Sequence, residues 1–485
     1  MKDAIKGLKP ELMWEHFYQI SQIPRCSRHE DAVRQYVISV AERNGLSYKS
    51  DRVKNIVISK PATAGCEKAP IAVLQSHLDM VCEKNKDTQH DFSKDPIRLL
   101  RKDDWITADG TTLGSDNGIG VAAMLALIED KNVEHGPLEL LFTIDEETGL
   151  TGAGELGPGM VEGKRLLNLD TEEEGIFYIG CAGGADSNLS LPLITTGVPS
   201  GSAAVQAKLF GLKGGHSGCD IHLQRGNATK LLVRALQKVQ KSVPFNIAHI
   251  QGGNLHNAIP REAFVTVVLA SAKKDDFVKK LKAEMATIHD EFRPAEPDMK
   301  LDVNAAGATK EMLDDATTAK VMNLITGLPH GVLSMSYDIP ELVETSTNLA
   351  AVKQENGELK VLMSSRSSVD SAIHATRRRI RSIAELAGAS VEEGNGYPGW
   401  KPDVHSPLLA LMKDVHKKVT GHEPEVKAVH AGLECGIIGE KYPGMDMISI
   451  GPQIEFPHSP DERVKIHTVK DFYDLLVVAL KELAK

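Results

Sequence analysis

Ile71-Ala-Val-Leu-Gln-Ser-His77-Leu-Asp79 is a short apolar run that ends in an imidazole and a carboxylate. An apolar run of this length, bounded by polar residues, is typical of a strand buried on both faces of a sheet. In open α/β sheets, ligand-binding groups gather beyond the carboxyl ends of such strands. The stretch therefore predicts a sheet with functional side chains along one rim.

Four other segments extend this pattern along the chain. In three of them an apolar run is followed by acidic or histidine residues, and in the fourth a carboxylate sits in a glycine-flanked turn. They are Leu138–Ile144 before Asp145-Glu146-Glu147, Leu166-Leu-Asn-Leu-Asp170, Met447-Ile-Ser-Ile450 leading to Pro457-His458, and Gly114-Ser-Asp116-Asn-Gly118. If the runs are neighbours in one parallel sheet, these groups converge on one rim, as hydrolytic two-metal sites require.

Five of these residues form a ligand set for two divalent ions. A pair of ions needs a bridging carboxylate and about two further ligands each. We assign Asp116 as the bridge, His77 and Asp170 to one ion, and Glu147 and His458 to the other. Mixed imidazole and carboxylate ligands suit zinc, and manganese or cobalt are able to substitute. Taken singly, each residue is more often a cap or a surface residue, so the prediction depends on the set.

Two carboxylates beside this set have no metal assigned to them. Asp79 follows His77 by two residues and is expected to accept the second N–H of the imidazole, which fixes the ring. Glu146 precedes a ligand and is expected to act as the general base that takes a proton from the attacking water. The residues thus indicate a metal-dependent hydrolase.

Length and composition limit the class of protein. The 485 residues are too many for one core, so two domains are expected. With 66 acidic against 56 basic residues the net charge is −10, which argues against nucleic acid as a partner. No apolar stretch is long enough for a membrane span, and the start lacks a signal peptide, so a cytoplasmic location is expected. The six cysteines predict reduced thiols and no disulfide framework.

Periodicity along the chain predicts a two-domain α/β protein. Residues 1–184 and 398–485 alternate helices and strands and are assigned to one catalytic domain with a parallel or mixed sheet. Residues 185–397 are assigned to an inserted α+β lid. Its first part has the β-α-β-β-α-β order of a ferredoxin-like unit. A helix over 309–326 and a hairpin at Asn356-Gly357 follow, and these resemble another half-unit.

Several motifs resemble the M20 zinc peptidase family, which includes aminoacylase, carnosinase, peptidase T and bacterial dipeptidases. The matching motifs are His77-Leu-Asp79, Gly114-Ser-Asp116-Asn-Gly118, Asp145-Glu146-Glu147-Thr-Gly149, Asn168-Leu-Asp170, Pro457-His458-Ser459, Gly211-Leu-Lys-Gly-Gly-His216-Ser-Gly218, Asn257-Ala-Ile-Pro-Arg261, Tyr397-Pro-Gly-Trp400, His430-Ala-Gly-Leu-Glu-Cys-Gly436 and His458-Ser-Pro-Asp-Glu462. The resemblance covers nearly the whole chain. It implies the ligand and base roles assigned above, a cis peptide between Asp116 and Asn117, and hydrolysis of small unblocked dipeptides, carnosine-like Xaa-His substrates included.

The resemblance also implies roles for residues of the lid. His216 would stabilise the oxyanion, and Arg366 would bind the free C-terminal carboxylate of the dipeptide. Asn257 and Gly432 would contact the same substrate. Without the family, His216 reads as a loop histidine and Arg366 as a surface arginine. The sequence leaves open a homodimer through the lid, and whether His216 serves its own or a neighbouring active site.

Two other functions fit the same residues. An N-acyl amino-acid deacylase of the family shares the metals but binds an acyl group in place of a free amine. A catalytically silent metal-binding or peptide-binding relative would keep the fold, although the intact Glu146 argues against it. Comparing a free with an N-acetylated dipeptide separates the deacylase from the dipeptidase.

Overall fold

The computed structural model describes residues 2–485 and divides into two compact units. The first unit comprises the chain up to Cys181, Trp400–Ala428 and Leu433–Lys485, and the second comprises Ala182–Gly399 and Val429–Gly432. The sequence had assigned residues 429–432 to the catalytic domain. They group with the second unit because Ala182 N–H donates to the carbonyls of Val429 and Ala431, both at 3.0 Å.

The helices and strands follow in chain order. Residues 2–181 form α1 (Glu11–Ser21), α2 (Asp31–Arg43), β1 (Ser47–Ser50), β2 (Ile56–Lys60), β3 (Ala72–His77), β4 (Leu99–Lys102), β5 (Trp105–Ala108), α3 (Ser115–Glu129), β6 (Leu138–Thr143), α4 (Thr151–Glu155), β7 (Arg165–Asn168) and β8 (Ile176–Cys181). Residues 182–399 form β9 (Gly183–Pro192), β10 (Thr195–Gly197), β11 (Ser202–Phe210), α5 (Ala228–Gln240), β12 (Asn246–Gly252), β13 (Ala263–Ala270), α6 (Lys274–Phe292), β14 (Lys300–Ala305), β15 (Glu311–Leu313), α7 (Asp315–Gly327), β16 (Gly331–Met335), β17 (Val343–Glu355), β18 (Glu358–Ser367), α8 (Asp370–Ala387) and β19 (Ser390–Glu393). Residues 400–485 form α9 (Pro407–Thr420), β20 (Glu425–Val429), α10 (Glu434–Lys441), β21 (Asp446–Ser449), β22 (Ile454–Glu455), β23 (Arg463–Lys465) and α11 (Ile466–Leu483). Short 3-10 helices lie at Lys2–Ile5, Ile221–Leu223 and Ser271–Lys273.

The main sheet of the first unit has eight strands in the order β1-β2-β6-β3-β7-β21-β8-β20. Its centre is parallel, because β3 pairs in parallel with β6 and β7, and β21 pairs in parallel with β7. Strands β2 and β8 are antiparallel to their inner neighbours, so the sheet is mixed. The four apolar runs quoted from the sequence are these four central strands, and the predicted α/β fold class is confirmed.

Helix α3 has the glycine-flanked carboxylate, Asp116, in its first turn. Every residue from Asn117 to Ile128 is buried, which the apolar sequence of this helix requires. Asp116 and Asn117 have non-helical dihedral angles, so the regular helix begins after them. The peptide bond between Asp116 and Asn117 is cis, as the family resemblance implies. Strands β22, β23, β5 and β4 form a separate four-stranded sheet in the first unit.

The second unit is built on an antiparallel sheet in the order β14-β11-β13-β12-β17-β18-β9-β19, with β16 paired to β17. The segment from β11 to β14 has the order β-α-β-β-α-β along the chain, and its strands lie in the split arrangement of that motif. Asn356 and Gly357, with φ of 51° and 78°, join β17 to β18. The hairpin predicted at Asn356-Gly357 is therefore confirmed.

One predicted helix is shorter than expected. The helix expected over 309–326 is replaced at its start by β15, which pairs antiparallel with β10. Asp314 then caps the N-terminus of α7, since its side chain accepts the N–H of Thr317 at 2.7 Å. Pairing with a distant strand, which local periodicity does not report, makes the helix begin later than predicted. Among residues 2–485, no helix is long and apolar enough to cross a membrane.

Candidate functional site

The two carboxylate oxygens of Asp116 face two different groups of side chains in the first unit. Oδ1 lies 3.0 Å from Nε2 of His77, which is also 3.3 Å from Oδ1 of Asp170. Oδ2 lies 3.0 Å from Nε2 of His458, which is also 3.0 Å from Oε2 of Glu147. In each group the candidate ligand atoms lie within 4.8 Å of one another, which is close enough for them to bind one metal ion. The geometry thus assembles the five residues in the pairing expected from sequence, with Asp116 shared.

The main sheet explains why His77, Asp170 and Glu147 lie close together. His77 is the last residue of β3, and Asp170 lies two residues beyond β7. Glu147 follows the neighbouring strand β6, whereas His458 follows β22 of the separate four-stranded sheet. Since β6, β3 and β7 are parallel neighbours, their carboxyl ends meet at one rim.

Burial and close contacts shift the pKa values of the side chains in this cluster. Burial raises the pKa of both Glu147 and Asp170. Hydrogen bonds to Asp116 and Glu147 raise the pKa of His458 to about 11. One buried oxygen of Glu147, Oε1, has no hydrogen-bond partner among the described residues. Carboxylates and imidazoles that gather in this way suit divalent cations, which neutralise the carboxylates and satisfy such an oxygen. The residues therefore fit a dinuclear metal site.

Asp79 connects the imidazole of His77 to the next strand end. Its Oδ1 lies 3.3 Å from Nδ1 of His77 and accepts the N–H of Glu146 at 3.0 Å. Its Oδ2 accepts the N–H of Glu147 at 3.2 Å and the hydroxyl of Ser27 at 2.7 Å. Burial raises the pKa of Asp79, but hydrogen bonds from His77 and its other donors outweigh burial and bring the pKa to about 2. Asp79 therefore accepts hydrogen bonds from both glutamate backbones and lies next to the imidazole of His77.

Glu146 lies beside the metal-ligand group without belonging to either of its two halves. Its carboxylate lies within 4.8 Å of ligand atoms of His77 and Glu147. Burial, together with the charges of Asp170 and Glu434, raises the pKa of Glu146 well above its usual range despite the opposing charge of His77. A carboxylate with a raised pKa is suited to accept and hold a proton.

Other buried charges near the site were not predicted. Glu434 accepts hydrogen bonds from Gln75 at 2.6 Å and Thr143 at 2.8 Å, and burial raises its pKa to about 7. Burial and the neighbouring carboxylates of Asp116 and Asp170 raise the pKa of Glu172 to about 9. Glu434 belongs to a quoted motif, and Glu172 follows a predicted ligand by two residues, so both carried a positional signal. Neither residue type alone indicated a role.

In the second unit His216 has a defined tautomer. Its Nδ1 accepts the backbone N–H groups of Gly218 at 3.2 Å and Cys219 at 3.0 Å. Because Nδ1 is an acceptor, the neutral ring carries its proton on Nε2, which is then a donor. Burial and the charge of Arg366 lower the pKa of His216 and favour this neutral form. A cavity of about 980 Å³ within this unit is lined by His216 and by the exposed Asn257.

Arg366 is buried in the second unit, in contrast to an ordinary surface arginine. Its Nη1 donates to the hydroxyl of Tyr397 at 3.0 Å, while its Nε has no hydrogen-bond partner among the described residues. A side chain at Gly432 would meet the ring of Tyr397 at 2.8 Å. Gly432 therefore leaves space for the tyrosine that holds Arg366. The substrate-binding roles of these residues stay predictions.

The cysteines differ from the expectation of six reduced thiols. Cys26 and Cys82 form a disulfide with Cα atoms 5.7 Å apart, and Cys66, Cys181, Cys219 and Cys435 are free. The two linked residues are 56 positions apart in sequence. The count and spacing of cysteines gave no sign of this pair, because the fold brings it together: Met80 donates its N–H to Arg25 O at 3.1 Å.

Comparisons with known proteins agree with the geometry. The model of peptidase family M20/M25/M40 matches residues 73–482. The chain is 41% identical over 479 residues to the cytosol non-specific dipeptidase of Escherichia coli (strain K12), covering 99% of each protein. It is similar to the crystal structure of aminoacylhistidine dipeptidase from Vibrio alginolyticus, with a TM-score of 0.93, 43% identity and coverage of 99% of this chain and 98% of that chain. Aminopeptidase PepT from Bacillus cereus shares the fold at 17% identity and a TM-score of 0.58, covering 99% of this chain and 100% of that chain.

Proposed function

Since the chain belongs to peptidase family M20/M25/M40, we propose that it is a metal-dependent dipeptidase that hydrolyses unblocked dipeptides, Xaa-His substrates included. The proposal depends above all on Asp116, because one of its carboxylate oxygens faces His77 and the other faces His458. The names of the relatives from Escherichia coli and Vibrio alginolyticus support the substrate class. The first of these names also supports a cytosolic location.

The ligands are His77 and Asp170 on one side, Glu147 and His458 on the other, and Asp116 between them. Two divalent cations held there would polarise the scissile carbonyl and lower the pKa of water. We propose zinc as the physiological ion, with cobalt or manganese able to replace it, because the ligand set mixes imidazole and carboxylate.

Glu146 is the proton carrier of the proposed reaction. It takes a proton from the water that attacks the scissile carbon, and it delivers this proton to the amine nitrogen as the carbon–nitrogen bond breaks. The water oxygen remains on the new carboxylate product, so the atoms balance. Asp79 takes no part in these transfers but holds His77 and the backbone of Glu146 in position.

Residues of the second unit would recognise the dipeptide. Nε2–H of His216 is a suitable donor to the developing oxyanion, because the backbone holds Nδ1 as an acceptor. The guanidinium of Arg366 would bind the C-terminal carboxylate, and Tyr397 holds it in one orientation. Asn257 and Gly432 are proposed as further contacts with the same end of the substrate.

The proposal is tested by release of histidine from β-alanyl-histidine. The purified protein is assayed as isolated, after chelation, and after addition of zinc, manganese or cobalt. Activity that disappears with the metal and returns with it supports the proposal. Absence of turnover with every metal, together with cleavage of an N-acetylated amino acid, would instead identify a deacylase.

Homodimerisation and the origin of His216 can be tested together. Light scattering gives the mass of the particle in solution. If the protein is a dimer, mixing the inactive variants E146A and H216A forms mixed dimers. Activity in the mixture would show that His216 of one subunit serves the neighbouring active site, whereas an inactive mixture of verified mixed dimers would place it in its own.

A further inference from the structure

Asp116 lies in the turn at the start of α3, and a single side chain accepts hydrogen bonds from the backbone of this turn. Oε2 of Glu462 accepts the N–H groups of Leu113 at 2.8 Å and Gly114 at 2.9 Å. Oε1 accepts the N–H of Ser115 at 2.7 Å, the hydroxyl of Ser115 at 2.6 Å and the N–H of Asp116 at 3.3 Å. One carboxylate, 2% exposed, thus receives five hydrogen bonds from four consecutive residues.

The same turn is held from its other side by Arg25. Its Nη2 donates to the carbonyl of Gly114, and its Nη1 donates to the carbonyls of Leu78 at 3.0 Å and Asp79 at 2.7 Å. Gly114 has a φ of 70°, so the backbone there turns in the left-handed region. Glu462 and Arg25 therefore hold the N–H and the C=O of one residue, two positions before Asp116.

Glu462 also belongs to the segment that supplies another ligand. It follows His458 by four residues, and its own N–H donates to the carbonyl of Ser459 at 3.0 Å. The turn from His458 to Glu462 thus carries one metal ligand and holds the backbone of the bridging one. The distance between Asp116 Oδ2 and His458 Nε2, 3.0 Å, depends on both ends of this short segment.

We propose, on the basis of the dinuclear function proposed above, that Glu462 is a positioning residue that sets the bridging carboxylate of Asp116 relative to His458. It acts through the backbone of residues 113–116 and does not touch the reacting atoms. Mutation of a residue that holds a metal ligand in place typically weakens metal binding by about 10–100-fold. A carboxylate that served folding alone would change the stability of the metal-free protein without a selective change in metal affinity.

The test compares E462Q with D461N. Both remove one carboxylate charge at adjacent positions, but Asp461 is exposed and its side chain makes no hydrogen bond to the turn. In E462Q the amide nitrogen would face two or three of the five donors, so the turn loses part of its anchor. The metal-free proteins are titrated with zinc in a calorimeter, metal content is measured after gel filtration, and circular dichroism and thermal unfolding report the fold.

We expect E462Q to bind two zinc ions at least tenfold more weakly than the wild type, and D461N to bind within about twofold of it. Unchanged affinity in folded E462Q would overturn the proposal while leaving the dinuclear function intact. A wild-type chain that binds no divalent metal would refute the proposed function and the role of Glu462 together.

A milder variant covers the case in which E462Q does not fold. S115A removes only the hydroxyl hydrogen bond to Glu462 and keeps the charge and all four backbone bonds. We expect zinc affinity about threefold weaker than in the wild type with the melting temperature of the metal-free protein nearly unchanged. If S115A binds zinc as the wild type does, the positioning role is refuted.

Discussion

Replacing Asp79 by asparagine probes how the proposed metal ligands are held in place. Asp79 is fully buried and accepts three hydrogen bonds, from Ser27, Glu146 and Glu147, besides its contact with His77. The asparagine oxygen can replace Oδ1 and keep the partners of that atom. Its NH₂ group then replaces Oδ2, where the hydroxyl of Ser27 can reverse and accept but the N–H of Glu147 cannot.

The loss can be estimated bond by bond. One buried backbone N–H without an acceptor costs about 1–3 kcal/mol, and each bond to a charged acceptor that becomes neutral loses about 1 kcal/mol. We therefore expect D79N to destabilise the metal-free protein by about 2–4 kcal/mol. Because the oxygen facing His77 remains, zinc affinity should fall by about tenfold, and in D79A, where it is lost, by about a hundredfold.

Two measurements check this expectation. Urea unfolding of the metal-free proteins gives the difference in the free energy of unfolding, and competition with a chelator gives zinc affinity. S27A is the matched control, since it removes one donor to Asp79 and keeps the carboxylate. If D79A binds zinc as tightly as the wild type, Asp79 does not orient His77 and the reasoning fails.

Three further perturbations test other parts of the structure. E146Q should lower kcat for dipeptide hydrolysis by about 10²–10⁴-fold while two zinc ions stay bound. Steady-state kinetics gives kcat and metal analysis gives the zinc content; a loss of zinc in E146Q would contradict the role of Glu146 as a base. Burial and the charge of Arg366 lower the pKa of His430 from 6.5 to about 3. The unfolded chain therefore takes up a proton at this residue below pH 6.5, while the folded protein does not. The free energy of unfolding should fall by about 2 kcal/mol between pH 6.5 and 5 and continue to fall toward pH 3. Urea unfolding of H430N and wild type at both pH values checks this, and equal pH dependence in the two proteins would contradict it. C26S removes the disulfide to Cys82, which closes a loop of 56 residues, and the lost stability is at most about 4 kcal/mol. Denaturation with and without reductant should show that reduction destabilises the wild type and leaves C26S unaffected.

The convergence of the proposed metal ligands could be predicted because local sequence and sheet geometry agree. His77 and Asp170 directly follow apolar runs, and parallel neighbours bring such ends to one rim. Asp116 lies in a turn without a preceding strand, and only its glycine neighbours and the family resemblance pointed to it. Position relative to strand ends was thus sufficient to predict that His77, Asp170 and Glu147 lie close together.

The supporting residues could not be predicted in the same way. Glu462 accepts five hydrogen bonds from a turn about 350 residues earlier, and Arg25 donates to the carbonyls of residues 78, 79 and 114. Glu462 belongs to a quoted motif, but backbone carbonyls and N–H groups carry no residue identity, so the motif does not show which bonds this side chain makes. The disulfide between Cys26 and Cys82 and the strand at Glu311–Leu313 likewise depend on pairings between distant segments.

The membership of Val429–Gly432 in the second unit affects how this protein can exchange parts with its relatives. Because the chain changes unit at 181/182, 399/400, 428/429 and 432/433, the second unit is not one contiguous block. A recombination event that replaced residues 182–399 alone would combine Ser346 from one parent with its hydrogen-bond partner His430 from the other, a contact of 2.7 Å. Chimeras that also carry residues 429–432 keep both partners from one parent, so inheritance of the unit requires two separate segments of the gene.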